Sequence, residues 1–158
     1  MPDIKFIAAI DDKRGIAKAG KIPWDVPSDR KYFREHVKPG PVVMGWNTFE
    51  SNGQKPYGDG KNTVITRRDE SAPGVAVVHD LEAFFKNLDE DIWVAGGGQV
   101  FTAALPYATT LYVTRVKGDY NCDVFFPEFE NDFVLSHEEP AQVENGVQYQ
   151  YQVWQRKN

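Results

Sequence analysis

Ile92-Trp93-Val94-Ala95-Gly96-Gly97-Gly98-Gln99-Val100-Phe101 is the stretch of sequence that decides the fold. It begins with an apolar run typical of a buried strand, passes through three glycines and continues into a predicted helix over 99–105. A strand that leads through glycines into a helix forms an anion site, which would suit a dinucleotide pyrophosphate. Because Phe101 breaks the G-x-G-x-x-G spacing, a tight turn that only lets strand and helix pack is an equal alternative.

Strands and helices alternate outward from this stretch through the first two-thirds of the chain. The predicted strands are 4–10, 41–45, 62–66, 75–78, 92–95, 110–116, 133–137 and 147–155. The predicted helices are 28–36, 46–51, 81–87 and 99–105, and Ser28 is the expected N-cap of the first. Alternation implies parallel pairing with right-handed crossovers, and the last third adds an antiparallel edge. We therefore predict an α/β protein, a three-layer α/β/α fold with a mixed, mostly parallel sheet of about eight strands and four helices.

Composition narrows the possible classes of function. The length of 158 residues suits a single domain over 1–158, and 41% apolar residues argue against disorder. The net charge of −5 with no basic stripe makes nucleic acid an unexpected partner. No apolar run approaches the roughly 18 residues that span a bilayer, and the first residues lack a signal-peptide pattern. The single cysteine fits a reducing compartment. We expect a cytoplasmic monomer that acts on a small molecule.

Asp29 is the acidic residue that the pattern places toward a pocket. It lies four residues before Phe33 and eight before Val37, so the three share one helix face. With Trp24 just upstream, its carboxyl group faces a partly apolar space, where desolvation would raise its pKa and let it relay a proton near neutrality. An Asp in a first helical turn that only complements the helix dipole is the alternative, and spacing alone favours it.

Other candidates for chemistry are few. The same order of strand, glycine and helix start recurs in Val42-Val43-Met44-Gly45-Trp46-Asn47-Thr48-Phe49-Glu50-Ser51. It predicts a second place for cofactor phosphates, and simple packing of the strand against the helix is the alternative. Thr114 could point its hydroxyl at a buried carboxylate, although such a residue more often only fills a strand position. The three histidines are scattered and Cys122 has no CxxC partner, so we expect neither a metal site nor a Cys–His nucleophile.

Taken in order, these segments resemble dihydrofolate reductase over nearly the whole chain. The matching segments are 7–10 (IAAI), 22–24 (IPW), Pro27 with Asp29 and Phe33, 43–45 (VMG) with 48–51 (TFES), 61–62 (KN) with 64–67 (VITR), 94–98 (VAGGG), 111–114 (LYVT) and 123–127 (DVFFP). Each alone is common, whereas eight in register at near-family spacing are hard to reach by chance.

The resemblance implies a reaction and a pterin site. Hydride would pass from C4 of the nicotinamide of NADPH to C6 of 7,8-dihydrofolate, giving tetrahydrofolate. By resemblance, Asp29 binds the pterin N3 and 2-amino group and promotes protonation at N5. Thr114 supports that carboxylate, and Trp24 helps to order a water while the loop from Ile16 to Trp24 closes over the nicotinamide. The residues implied to line the pterin pocket are Ile7, Ala8, Asp29, Phe33 and Thr114.

The resemblance also implies a cofactor site at the two glycine-bearing turns. The residues expected there are Ala9, Ile16, Gly45, Trp46, Thr48, Thr66, Arg67, Arg68, Ala95, Gly96, Gly97, Gly98, Gln99 and Val100. Family members usually have Arg at the position of Trp46, where it contacts the adenosine phosphate. Here that charge would come from Arg67 and Arg68, for which a solvated turn is the alternative, and Trp46 could instead stack on the adenine.

Gly60 stands where the family usually has an Arg that pairs with the α-carboxylate of the folate glutamate, and Phe101 stands where Tyr is frequent. Lys55 and Lys61 could recover part of the lost contact, and Gly60→Arg is expected to restore it. A related reductase acting on a riboflavin precursor or a pterin without a glutamate tail would also predict Gly60. A non-catalytic binding protein would be expected to lose Asp29 or the glycines, and both are kept.

Overall fold

Eleven strands and four α-helices make up the protein, whose computed structural model describes residues 1–158. The strands are β1 (Ile4–Ile10), β2 (Gly15–Ala17), β3 (Val42–Gly45), β4 (Asn62–Ile65), β5 (Ala76–Val78), β6 (Ile92–Val94), β7 (Thr110–Val116), β8 (Val124–Phe125), β9 (Phe133–Glu138), β10 (Gln142–Glu144) and β11 (Val147–Arg156). The helices are α1 (Pro27–Val37), α2 (Trp46–Ser51), α3 (Leu81–Lys86) and α4 (Gly98–Ala104), and a 3-10 turn follows at Leu105–Tyr107. None of the helices has the length and apolar character needed to span a bilayer.

Nine strands form one mixed sheet in the order β10-β11-β7-β1-β6-β3-β4-β5, with β9 also paired to β11. Every pair from β7 to β5 is parallel. β11 runs antiparallel to β7, β9 and β10, so the last third adds the antiparallel edge that the sequence predicts. All eight predicted strands and four predicted helices are present, which confirms the α/β class and the three-layer architecture.

Apolar side chains on opposite faces of the sheet form two separate clusters. Because strand residues alternate between faces, Phe6 and Val94 pack with α3 and α4, while Ile7 and Met44 pack with α1 and α2. These central strands are buried on both faces, which explains why they appear in the sequence as continuous apolar runs. The helices therefore cover the sheet on both sides, and the ends of the central parallel strands are left to form a site.

Two short elements and one cap differ from the sequence-based expectation. β2 pairs with β8 in a separate two-stranded sheet, and neither is long enough to give an alternating pattern. The prediction that Ser28 is the N-cap of α1 is wrong. Val26 occupies the cap position without a side-chain capping bond, and Pro27 is the first helical residue. Proline suits that position because its missing N–H has no partner there, which places the helix start one residue earlier.

Candidate active site

The carboxyl ends of β1 and β6 mark the point where the chain connections diverge. β1 is followed by α1 and β3 on one side, whereas β6 is followed by α4 and β7 on the other side of β1. In open parallel sheets this divergence leaves a crevice at the carboxyl ends of the strands, where ligands bind. The turns after β3 and β6 both contain glycine and meet there, since the Gly45 N–H donates to the Gly96 carbonyl at 2.7 Å.

Asp29 and Thr114 meet beside this crevice. Asp29 is the third residue of α1 and half-buried, and the Thr114 hydroxyl on β7 donates to its Oδ1 at 2.8 Å. The second carboxylate oxygen, Oδ2, has no hydrogen-bond partner in the protein and is not fully buried. Burial raises the pKa of Asp29, and the Thr114 bond and the charge of Arg30 partly oppose that rise. The group can therefore hold a proton at a higher pH than an ordinary Asp, with one oxygen free for a ligand.

Apolar side chains form a wall next to this carboxyl group. Ile7 is 3% exposed, and Phe33 packs in the same cluster, with its ring edge-to-face on Tyr57 at 5.2 Å between centroids. Ala8 packs against the opposite cluster, so the sheet places its side chain away from Ile7 and Phe33. The sequence did not single out Tyr57, because only the folded chain brings residue 57 against α1.

Trp24 and Ala9 belong to a third cluster, at the start of α1. Trp24 is 6% exposed and packs edge-to-face on Tyr120 at 5.2 Å between centroids. Asp11, which the sequence analysis passed over, is 1% exposed and accepts the N–H groups of Gly15 at 2.8 Å and Tyr120 at 3.0 Å. This carboxylate joins the segment before Trp24 to the segment that covers its ring, so the loop from Ile16 to Trp24 is held at its base.

The glycine triplet serves two different purposes. A Cβ on Gly97 would approach only Thr48 Oγ1, at 3.2 Å, so its other surroundings are open. A Cβ on Gly98 would lie 2.6 Å from Val124 Cγ1, so that glycine is required by the packing of β8 and Ile16 comes close at the same point. Gly96 has a φ of +122°, which favours glycine, and its peptide bond to Gly97 is cis.

The glycine cradle, formed by the turn at Gly45 and the turn at Gly96–Gly98, fits the pyrophosphate of a dinucleotide. α2 and α4 begin directly after Gly45 and Gly97, and neither has a side-chain cap or an acidic residue in its first turn. By contrast, α3 is capped by Asp80. Uncapped first-turn amides and the absence of side chains suit an anion. Of the other expected cofactor residues, Gln99 is exposed, Ala95 is half-buried and Val100 is 7% exposed in the core.

The structure distinguishes among Trp46, Arg67 and Arg68 as candidates for contacting the adenosine phosphate of the cofactor. Trp46 is 6% exposed, packs on Phe49 and donates its indole N–H to Glu50 at 2.6 Å, so its ring is used within the core and the stacking alternative gains no support. Arg67 is exposed and has no acidic partner, whereas Arg68 lies 3.6 Å from Glu70. Thr66 is 8% exposed, and its hydroxyl accepts the Arg68 N–H at 3.0 Å. Arg67 is therefore the better placed of the two for a phosphate.

Gly60 has no room for a side chain because the backbone of Pro39 and Gly40 passes close to it. A Cβ at this position would lie 2.4 Å from the Pro39 carbonyl oxygen and 2.7 Å from Gly40 Cα. The expectation that Gly60→Arg restores a carboxylate anchor is therefore wrong, since no side chain fits without a backbone shift. Arg34 on α1 is exposed and has no acidic partner, unlike Arg30, which lies 2.7 Å from Asp25.

Comparisons with known proteins agree with this geometry. The family model described as dihydrofolate reductase matches residues 3–156. Dihydrofolate reductase of Bacillus subtilis is 34% identical over 161 residues, covering 98% of this chain and 95% of that protein. Dihydrofolate reductase type 3 of Salmonella typhimurium is 38% identical over 129 residues, covering 80% of this chain and 79% of that protein.

A solved structure is similar over the full fold. Dihydrofolate reductase from Enterococcus faecalis, complexed with NADP(H) and RAB-propyl, superposes with a TM-score of 0.88 at 29% identity, covering 99% of this chain and 97% of that one. The strand order, the Asp29–Thr114 pair and the glycine cradle all lie within the matched region. This chain belongs to the dihydrofolate reductase family.

Proposed function

We propose that this chain catalyses the NADPH-dependent reduction of 7,8-dihydrofolate to tetrahydrofolate. The observation that carries the proposal is the half-buried Asp29, held at 2.8 Å by Thr114, which pairs with Ala9 near the carboxyl end of β1 and leaves Oδ2 without a protein partner. Family membership and the similarity to dihydrofolate reductases of Bacillus subtilis and Enterococcus faecalis support it. The bound nicotinamide supplies the hydride, and the protein supplies alignment and a proton route.

Asp29 is the proton-handling residue in this proposal. Its free Oδ2 would accept from the pterin N3–H and 2-amino group, and its raised pKa would favour protonation at the pterin N5. Thr114 fixes the carboxyl group, and Ile7 and Phe33 form the apolar wall that excludes water from the ring. Trp24, at the mouth of the site, would order the water through which the proton moves.

NADPH would bind across the two glycine turns. The open approach at Gly97, with Thr48 beside it, suits the pyrophosphate, and Ala9 and Ile16 would contact the nicotinamide end. The free guanidinium of Arg67 would pair with the 2′-phosphate and select NADPH over NADH. The test is the loss of nicotinamide absorbance on mixing the protein with NADPH and dihydrofolate. The proposal is overturned if dihydrofolate does not consume NADPH.

A second candidate is a related reductase for a riboflavin precursor or a pterin without a glutamate tail. The closed Gly60 position removes one anchor for a glutamate carboxylate, which such a substrate would not need, but the family model, the relatives and the solved structure give this candidate no support. The same absorbance assay with a tail-less dihydropterin separates the two. A kcat/KM that is higher for the tail-less substrate than for dihydrofolate would support this second candidate.

We also propose that the protein works as a cytoplasmic monomer of one domain. The sheet runs without interruption from β10 to β5, which supports a single domain. The single cysteine is consistent with a reducing compartment. Light scattering at assay concentration tests the oligomeric state, and a dimer mass would contradict this part of the proposal.

A further inference from the structure

The hairpin of β10 and β11 holds the first turn of α1 through one carboxylate. The Ser28 N–H donates to Glu144 Oε1 at 2.8 Å, and the Ser28 hydroxyl donates to Glu144 Oε2 at 2.6 Å. The Val26 carbonyl accepts the N–H groups of Asp29 and Arg30, but Val26 has no side-chain acceptor for the Ser28 N–H, which has no partner within the helix. Glu144 therefore does from another element what an N-cap side chain does locally.

The same hairpin approaches α1 through an aromatic side chain. Tyr151 on β11 stacks on Tyr32 at 4.0 Å between centroids, with the rings 15° from parallel, and its hydroxyl lies 3.5 Å from the Ser28 carbonyl. Tyr151 is paired opposite Thr114 in the sheet. Neighbouring strands thus contact consecutive residues of α1, because Thr114 binds Asp29 while Tyr151 and Glu144 bind Ser28.

We infer that Glu144 is a positioning residue for Asp29. The inference rests on the proposed function, since it concerns the same carboxyl group. If the Glu144 acceptor is lost, water must take over the two exposed Ser28 donors, and the turn that carries Asp29 loses its direct tie to the β10–β11 hairpin, which weakens its hold beside β7. The distance from Thr114 to Asp29 then lengthens and water enters beside the carboxyl group.

The electrostatics of this contact agree with the inference. The two Ser28 bonds lower the pKa of Glu144, so the group is ionised at neutral pH. An ionised acceptor makes shorter and stronger hydrogen bonds than a neutral one, and it complements the positive end of an 11-residue helix. Glu144→Gln keeps the shape and one acceptor oxygen, whereas Glu144→Ala removes both acceptors, so the two variants form a graded series.

Asp80 provides a matched control within the chain. Its side chain caps α3 by accepting the Ala83 N–H at 3.0 Å, and α3 carries none of the proposed site residues. Loss of either cap lowers stability, but only the loss of Glu144 displaces Asp29 in this inference. The assay compares Glu144→Gln, Glu144→Ala and Asp80→Ala at a temperature well below the melting point of each variant.

The expected result is a selective defect in pterin turnover. A lost cap shifts a local equilibrium by about threefold to thirtyfold, which bounds the loss of the competent population. The kcat/KM for dihydrofolate should therefore fall by up to about tenfold in Glu144→Ala and by less in Glu144→Gln. The KM for NADPH should stay at the wild-type value in both, because the cradle lies on α2 and α4. Asp80→Ala should keep kcat/KM for dihydrofolate within about twofold of wild type while it lowers the melting temperature.

Other results would overturn the inference. Wild-type kcat/KM in Glu144→Ala would mean that the contact only stabilises the fold, and an equal loss in Asp80→Ala would mean that any cap loss has this effect. If Glu144→Ala does not fold, Glu144→Gln and Ser28→Ala are combined in a double-mutant cycle on kcat/KM, and additive effects would refute the coupling. An inactive wild-type protein would overturn the proposed function and the inference together, whereas active wild type with unaffected variants overturns the inference alone.

Discussion

Asp29→Asn should change activity and stability in opposite directions. The Asn carbonyl can still accept the Thr114 hydroxyl bond of 2.8 Å, so the first turn of α1 keeps its place. The variant loses the charge and the proton at the group that the crevice exposes. One substitution therefore separates the role of the carboxyl group in catalysis from its effect on folding.

The loss of activity can be worked from the contacts. With the Asn carbonyl on Thr114, the amide NH2 takes the place of Oδ2 and cannot accept from the pterin, so a hydrogen bond to a charged group, about 1.5–3 kcal/mol, is lost. The KM for dihydrofolate should rise by roughly one to two orders of magnitude. Loss of the proton route lowers turnover by on the order of 10²–10⁴-fold at neutral pH. The deficit in turnover should shrink in acid, where solvent can protonate the pterin directly.

The gain in stability follows from the direction of the pKa shift. Burial raises the pKa of Asp29 above the ordinary value of 3.8. A raised carboxyl pKa stabilises the folded state fully below that ordinary value, and this contribution is lost as the pH rises through the folded-state pKa. At pH 7–8 the ionised carboxylate therefore lowers the free energy of unfolding, and Asn, which does not ionise, removes that penalty.

Two measurements test this pair of expectations. Steady-state kinetics with NADPH and dihydrofolate across the pH range give the activity, and thermal unfolding followed by circular dichroism at acid and neutral pH gives the stability. The melting temperature of Asp29→Asn should exceed that of wild type at pH 7–8, and the difference should vanish below the ordinary Asp value of 3.8. Full activity in the variant at pH 7–8 would refute the assignment of Asp29, and a lower melting temperature there would refute the argument from burial.

Three further outcomes are expected. Arg67→Ala should raise the KM for NADPH about tenfold, while Arg68→Ala, whose guanidinium lies near Glu70, should change it little; equal KM values in wild type and Arg67→Ala would remove this residue from the cofactor site. Gly60→Ala should lower the free energy of unfolding by about 1–3 kcal/mol in urea titration, and an unchanged midpoint would show that the backbone yields without cost. Arg34→Ala should raise the KM for dihydrofolate about fivefold but leave a tail-less pterin unaffected, and equal effects on both would exclude a contact with the tail.

The sequence predicted those parts of the structure that depend on short-range patterns. The apolar run of β6 and the glycines after it indicated a buried strand, a turn and a helix, and all three are present. The helical spacing placed Asp29 and Phe33 on one face, and the structure turns that face toward β1 and β7. In each case the sequence signal lies within ten residues of the feature that it predicts. Contacts with distant parts of the chain therefore did not change the local structure that the signal indicates.

Contacts between distant segments could not be predicted in the same way. The partner of Ser28 is 116 residues away, so an N-cap was the natural interpretation of a serine at a helix start. Asp11 directly follows the apolar run of β1 and carries no sequence signal of a buried role, yet it is 1% exposed and binds two segments of the chain. Each role is set by which strands lie side by side, and a single sequence carries no periodic signal for that.

Two of the three departures from the family pattern have a structural explanation. Trp46 is 6% exposed, packs on Phe49 and donates its indole N–H to Glu50, so its replacement by arginine would remove a buried aromatic ring from an apolar cluster. At Gly60 the Pro39 carbonyl oxygen stands 2.4 Å from where a Cβ would be. Gly60 cannot take arginine without a backbone shift, so the replacement charge there must come from an unpaired cation nearby. Arg34 on α1, and Lys55 and Lys61 beside Gly60, are exposed and have no acidic partner, and the same holds for Arg67 after β4 for the cofactor. Variants of these residues, rather than of Gly60, test how the two ligands are anchored.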